Sequence, residues 1–222
     1  QVAYDLLTAG KTLEQIVDGD RKSYVMQYID WKHIENNAFH VTEEFAVSRT
    51  GMSDTYRPDI VLFVNGIPLC IIECKRPDIK DSLNQAISQH LRNQKDDGIR
   101  SLYVYSALLL STNVNEVSYA TTGTPKKFWN RWTEQFVDKT AEELYRYKLS
   151  EKVNQKHVVS DISWKEYRMC AEPTVQYGSL KTPSIQDSYL YNLCRPDRLL
   201  NLMYRFTLYD DGVKKIARYQ QY

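Results

Sequence analysis

The sequence predicts an α+β fold organised around one β-hairpin, and three observations lead there. Residues 57–77, RPDIVLFVNGIPLCIIECKRP, hold two runs of branched and aromatic residues joined by Asn65-Gly66, the strongest short hairpin signal. Residues 75–96 carry a proline stop and then a helix with Leu83, Ala86, Ile87 and Leu91 on one side. Residues 101–113, SLYVYSALLLSTN, read as a buried strand, with residues 115–123, NEVSYATTG, as its antiparallel neighbour.

Around this centre, residues 1–36 read as helical and polar, interrupted at Asp18-Gly19-Asp20. Residues 37–49 alternate as a strand leading toward the hairpin, and residues 51–56 form a polar loop. Residues 125–157 read as helical and charged, with Lys126, Lys127 and Arg131 as solvated charge and Trp129 and Trp132 as packing anchors. Residues 158–188 read as a connector. Arg195-Pro196-Asp197 repeats an earlier tripeptide, but the apolar positions Leu199, Leu200, Met203 and Phe206 behind it are helical. Pro196 at the helix start and Asp197 in its first turn account for the repeat. The organisation expected is a domain over residues 1–157, and a connector with a helical start of a further region over 158–222.

Composition narrows the function. With 29 Lys plus Arg against 28 Asp plus Glu, the net charge is +1, too balanced for a protein that grips DNA by charge alone. No apolar run approaches a membrane span and no signal peptide is visible, which predicts a cytoplasmic protein without membrane contact. The chain begins without Met, as a piece of a longer protein would. Cys70 and Cys74 on one strand would stand roughly 13 Å apart, too far for a disulfide. Cys170 and Cys194 form no CxxC pair, so all four cysteines read as thiols in a reducing compartment. His33, His40, His90 and His157 lack paired ligand spacing, which argues against zinc.

The hairpin carries the chemistry. On the return strand a period of two puts Cys70, Ile72 and Cys74 on one face and Leu69, Ile71, Glu73 and Lys75 on the other. A plain two-residue turn would pair Val64 with Ile67 and leave Asp59 and Glu73 on opposite faces. A three-residue loop or a one-residue bulge would set them side by side, and this is the arrangement expected. Two carboxylates at that spacing bind Mg²⁺ through hard oxygens and leave room for water and a phosphate oxygen. The nearby lysine is a movable charge for the transition state or the attacking water.

Pro58-Asp59 followed by Glu73-Cys74-Lys75 resembles the PD-(D/E)xK nuclease motif. Residues 57–77 as a whole resemble the amino-terminal region of the R subunit of type I restriction-modification enzymes. The resemblance implies a restriction-endonuclease-like core, a mixed central β-sheet flanked by helices. It also implies a Mg²⁺ site, with Mn²⁺ able to substitute, at Asp59, Glu73 and the main-chain carbonyl of Cys74. Lys75 would be the electrostatic catalyst, and Gln89 would position Lys75 or a phosphate.

Relatives often carry QxxxY on the following helix. Here Asn93 stands four residues after Gln89, leaving the tyrosine role unfilled or supplied from elsewhere, and Gln85 competes for the glutamine role. The tail KKIARYQQY resembles the segment before the helicase core, where Arg218, Tyr219 and Gln221 would match an adenine-contacting Q motif. No GxxxxGK[ST] is present, so ATP is implied only for the full-length subunit. The resemblance covers most of residues 37–136 and residues 189–222. It further implies cleavage of double-stranded DNA after ATP-driven translocation, with methyltransferase (M) and specificity (S) subunits as partners. Two rivals are a repair or other nuclease of the same fold, which the tail disfavours, and a catalytically silent subunit-docking module, which the intact Asp, Glu and Lys set disfavours.

Overall fold

The computed structural model describes residues 1–155 and 180–222. The expected connector therefore lies mostly outside the described residues, as do His157 and Cys170.

The amino-terminal segment is not helical throughout. Helix α1 covers only Val2–Ala9, and a hairpin of β1 (Lys11–Val17) and β2 (Asp20–Met26) comes after it. Asp18 and Gly19 connect these strands with φ of 54° and 86°, positive at both central positions as the turn between tightly paired strands requires. The dipeptide that reads as a helix break is thus a hairpin turn. Both strands are almost wholly exposed, which is why no buried stripe betrays them in the sequence.

The core is a five-stranded sheet in the order β3-β6-β7-β8-β9, formed by Phe39–Glu43, Ile60–Val64, Ile67–Cys74, Leu108–Thr112 and Val117–Ala120. Short strands β4 (Val47–Ser48) and β5 (Thr55–Tyr56) pair with each other, so the 51–56 loop ends in a strand. All pairs in the main sheet are antiparallel except β7 with β8, whose parallel alignment needs the crossover made by α2 (Ser82–Asn93) and α3 (Arg100–Tyr103). The expected strand over 101–113 is therefore two elements, the short helix α3 and then β8. Tyr103 and Leu102 pack as helix residues under the sheet.

Helices cover both faces. Val61, Ile71 and Leu109 meet Ile99, Leu102 and Tyr103 on one side. On the other, Leu69, Cys70, Ile72, Leu108 and Leu110 meet Leu7 of α1, Leu193 of α5 (Ile185–Cys194), and Leu199, Leu200, Leu202 and Met203 of α6 (Pro196–Arg205). Only Lys139–Asn154, α4, is α-helical within 125–155; before it a single 3₁₀ turn at Lys126–Phe128 leads into extended chain that bridges Tyr119 to Asn130. Trp132 is buried edge-on to Tyr119 and Trp129 lies against His90, as packing anchors should. After α6 the chain forms a further hairpin, β10 (Thr207–Asp210) and β11 (Val213–Ile216), turned at Asp211-Gly212 with φ of 49° and 74°.

Candidate active site

The register of β6 and β7 brings the site together. Asn65-Gly66 makes a two-residue turn with φ of 50° and 79°, pairing Val64 with Ile67 and Phe63 with Pro68. The ladder then shifts between Leu62 and Phe63, so that Leu62 pairs with Cys70 and Ile60 with Ile72. Leu69 is the extra residue, and it turns into the same cluster as Cys70 instead of alternating with it. Carried one step further, the shifted register sets Asp59 across from Glu73, the bulged arrangement expected from the sequence. Asn65 secures the turn: its Oδ1 accepts from Ala38 N at 2.8 Å, and its Nδ2 donates to Tyr28 O at 2.9 Å.

Asp59 and Glu73 sit in different surroundings. Asp59 is partly open, its Oδ2 accepting from Cys74 N at 2.6 Å with Lys75 Nζ at 3.8 Å. Lys75 Nζ also donates to the Cys74 carbonyl at 3.2 Å, while Lys75 N holds Thr112 O at 2.9 Å, fixing the lysine at the end of β7. Glu73 is fully buried. Burial, and next the charge of Asp59, push its carboxyl up to about 8, with the Lys75 ammonium offsetting part of the rise. Its oxygens accept from Gln89 Nε2 at 2.6 Å and from Asn93 Nδ2 at 3.3 Å, both from α2.

Gln89 therefore touches Glu73, not Lys75. Gln85 donates to Lys80 O at the helix start and does not reach the site. Asn93, four residues after Gln89, occupies the second oxygen of the same carboxylate. Ser111 is the register partner of Glu73 on parallel β8, so it shares that face; its buried hydroxyl has no partner. Neither the contact of Asn93 with Glu73 nor the place of Ser111 is legible in the sequence. The only hint was that positions 89 and 93 lie one turn apart on α2.

Arg218, Tyr219 and Gln221 stand elsewhere. Gln221 Oε1 accepts from Arg218 N at 2.8 Å, and both residues line a cavity of about 690 Å³ together with Ala120, Phe128, Lys214 and Ile216. Ala120 is at the end of β9 away from Thr112, so this tail and the carboxylates occupy different ends of the sheet.

Two carboxylates and a main-chain carbonyl offer hard oxygens, and no group of three or more His, Cys, Asp and Glu residues suited to a metal gathers among the described residues. The donor set suits Mg²⁺ or Mn²⁺, which accept few protein ligands and keep several waters, and does not suit a structural zinc. The carboxyl held up by burial and then by the charge of Asp59, and the unpartnered hydroxyl of its register partner Ser111, are features that a cation and its waters would relieve. Cys74, pushed up to about 11 by burial and by the two carboxylates, is held as a thiol. Cys70, Cys74 and Cys194 are all free.

A mixed sheet with an α crossover between its two parallel strands, carrying Asp59 and Glu73-Cys74-Lys75 on adjacent strands, is a restriction-endonuclease-like core. The family model described as type I restriction enzyme R protein N terminus matches residues 1–128, and the chain belongs to that family. It is 32% identical over 133 residues to the putative type I restriction enzyme MjaIXP endonuclease subunit of Methanocaldococcus jannaschii, covering 60% of this chain and 12% of that protein. Against the type I restriction enzyme HindI endonuclease subunit of Haemophilus influenzae it is 28% identical over 230 residues, covering 100% of this chain and 18% of the relative. The SsaAORF53P endonuclease subunit of Staphylococcus saprophyticus is 30% identical over 102 residues, 45% of this chain and 10% of that protein. The chain thus spans less than a fifth of the length of these relatives and corresponds to the amino-terminal region of an endonuclease subunit. Among the described residues no helix is long and apolar enough to cross a membrane.

Proposed function

We propose that the chain is the nuclease domain of a type I restriction enzyme R subunit and hydrolyses phosphodiester bonds of double-stranded DNA with Mg²⁺. The pairing of buried Glu73 with Asp59 at the end of β7, with Lys75 beside them, carries this reading. Asp59, Glu73 and the Cys74 carbonyl would hold the metal, which supplies Lewis-acid polarisation of the phosphate and a water of lowered pKa. Mn²⁺ would serve in its place. Lys75 would offer its ammonium to the charge that develops on the phosphate oxygens, leaving the Cys74 carbonyl, to which it donates at 3.2 Å, when that oxygen takes the metal. Gln89 holds Glu73 in place through its amide.

The rest of the reading concerns the whole subunit. The near-neutral charge gives this chain little hold on DNA of its own. Cutting would follow ATP-driven translocation by the motor, in a cytoplasmic complex with methyltransferase and specificity subunits. Arg218, Tyr219 and Gln221 would contribute to the adenine contact of that motor.

The test is Lys75→Ala in the reconstituted full-length enzyme. Removing one partly exposed ammonium leaves the core intact, so double-strand cleavage should fall about 10²–10³-fold while DNA-stimulated ATP hydrolysis persists. Cleavage at the wild-type rate would place Lys75 outside the chemistry and sink the assignment.

A further inference from the structure

Two arginines share one aromatic ring near the carboxylates. Arg49 pins the loop between β4 and β5 to the turn that follows α2: its Nε donates to Asp97 O at 2.9 Å and its Nη1 to Asp54 Oδ2 at 3.0 Å, while Thr50 N donates to Gly98 O at 3.0 Å. The pinned loop ends in Tyr56, just before Arg57-Pro58-Asp59. The Cζ atoms of Arg49 and Arg92 stand 4.6 Å and 4.8 Å from the centre of the Tyr56 ring. Arg92, in the last turn of α2, also donates to Asn93 Oδ1, from Nε at 3.4 Å and from Nη2 at 3.3 Å. Asn93 Nδ2 in turn donates to Glu73 Oε1 at 3.3 Å, so Arg92 is two hydrogen bonds away from a carboxylate of the site.

The two guanidinium groups differ in what they leave unused. Arg49 is largely enclosed, its side chain 16% exposed, and Asp54 and Asp97 take all of its nitrogens. Arg92 is exposed, and among the described residues it forms no ion pair and its Nη1 no hydrogen bond. The Tyr56 face and the Asn93 amide therefore hold one edge of its guanidinium and leave the other edge free. A planar fork held in this way loses little freedom when it takes an anion, and a phosphate can accept from it twice. Elsewhere the chain neutralises many of its own cations, as in the pairs of Arg21, Arg76, Arg100 and Arg131 with Asp or Glu. A free guanidinium so close to Glu73 stands out against that background. We propose that Arg92 grips a backbone phosphate of the DNA strand held at the site, with the Tyr56 ring as the platform that sets its guanidinium in place. Such a contact fixes the strand over the carboxylates and reads no base, as suits cleavage without a sequence of its own.

This proposal rests on the nuclease reading, and the two fail in different assays: that reading fails in cleavage by Lys75→Ala, this one in binding of duplex by the chain itself. A short fluorescein-labelled duplex is titrated with the wild type at several low salt concentrations, with EDTA present so that nothing is cut. Arg92→Gln should weaken binding about tenfold and lower the slope of log affinity against log salt by about one, the share of a single phosphate. Arg92→Lys keeps the charge and should restore the slope. Arg205→Gln removes an exposed cation from the cavity at the other end of the sheet and should change neither quantity. Mn²⁺ affinity, measured without DNA, should not fall in Arg92→Gln, because losing a nearby positive charge does not weaken a cation site. A salt slope unchanged in Arg92→Gln, an equal loss in Arg205→Gln, or no duplex binding by the wild type at low salt would overturn the proposal. A fall in Mn²⁺ affinity with the slope intact would also overturn it, since Arg92 would then serve Glu73 and not DNA.

Discussion

The chain reads Arg-Pro-Asp at residues 57–59, 76–78 and 195–197, and the first and last of these aspartates end in unlike places. Asp59 precedes a strand, and the bulged register of β6 and β7 folds it onto Cys74 N at 2.6 Å beside the buried Glu73. Asp197 lies in the first turn of α6 and accepts from Arg195 Nε at 3.0 Å, with its side chain 60% exposed. Three identical residues thus give a constrained carboxylate in one case and a solvated helix-start charge in the other. The residues downstream of each tripeptide decide between the two: a β-branched run and an Asn-Gly turn after the first, an apolar helical stripe after the second. A short motif has chemical meaning only through the element that carries it.

The largest expected difference between the copies is in cleavage. In the full-length enzyme Asp59→Asn should lower double-strand cleavage by about 10³-fold or more, because it would remove a charge that the proposed cation needs, while Asp197→Asn should stay within about twofold of wild type. Comparable losses in both would show that Asp59 acts through folding and not through the site.

A smaller effect should appear in the pH dependence of stability without metal. Glu73 is protonated in both folded and unfolded chains below its ordinary value near 4.5, and its stabilising contribution is then complete. As pH rises, the unfolded chain releases the proton while the folded one keeps it until about 8, so stability is lost across that window. His90, held at about 4 against an ordinary 6.5, works in the opposite direction below 6.5, which leaves about pH 6.5 to 8 as the clean interval. The melting temperature should fall over that interval, and Glu73→Gln should flatten the fall. Asp197→Asn should leave the slope as it is. A slope unchanged by Glu73→Gln would mean that its carboxyl is not held up by burial.

The smallest effect belongs to Asp197. Replacing it with Ala removes a charge from the start of α6 and should cost about 0.5 kcal/mol in a urea titration. A loss several times larger would mean that this aspartate holds more than a helix end.

Much of the central sheet was legible because its signals are local. Asn65-Gly66, the apolar return strand and the helical stripe of α2 each announce themselves within a dozen residues, and Asp59 and Glu73 came with them. The β1–β2 hairpin is hidden in the sequence because its strands are exposed on both faces, so the period-two burial that marks a strand is absent and Asp18-Gly19 reads as an interruption. At Asp211-Gly212 a second turn was hidden behind the helical pattern of α6. In the site, Ser111 and Asn93 reach Glu73 only through strand pairing and the crossover helix. No spacing in the sequence encodes the alignment of Glu73 with Ser111 on a parallel strand 38 residues later.

The central claim is that Asp59 and Glu73 form a cation site, and the melting temperature of this chain with and without millimolar Mn²⁺ tests it most directly. A cation that takes the place of the Glu73 proton and joins that side chain to Asp59 should bind the folded chain in preference to the unfolded one, and binding to the folded state raises stability by mass action. The account predicts a clear rise for the wild type and none for Asp59→Asn. A wild-type melting temperature indifferent to Mn²⁺ would contradict it.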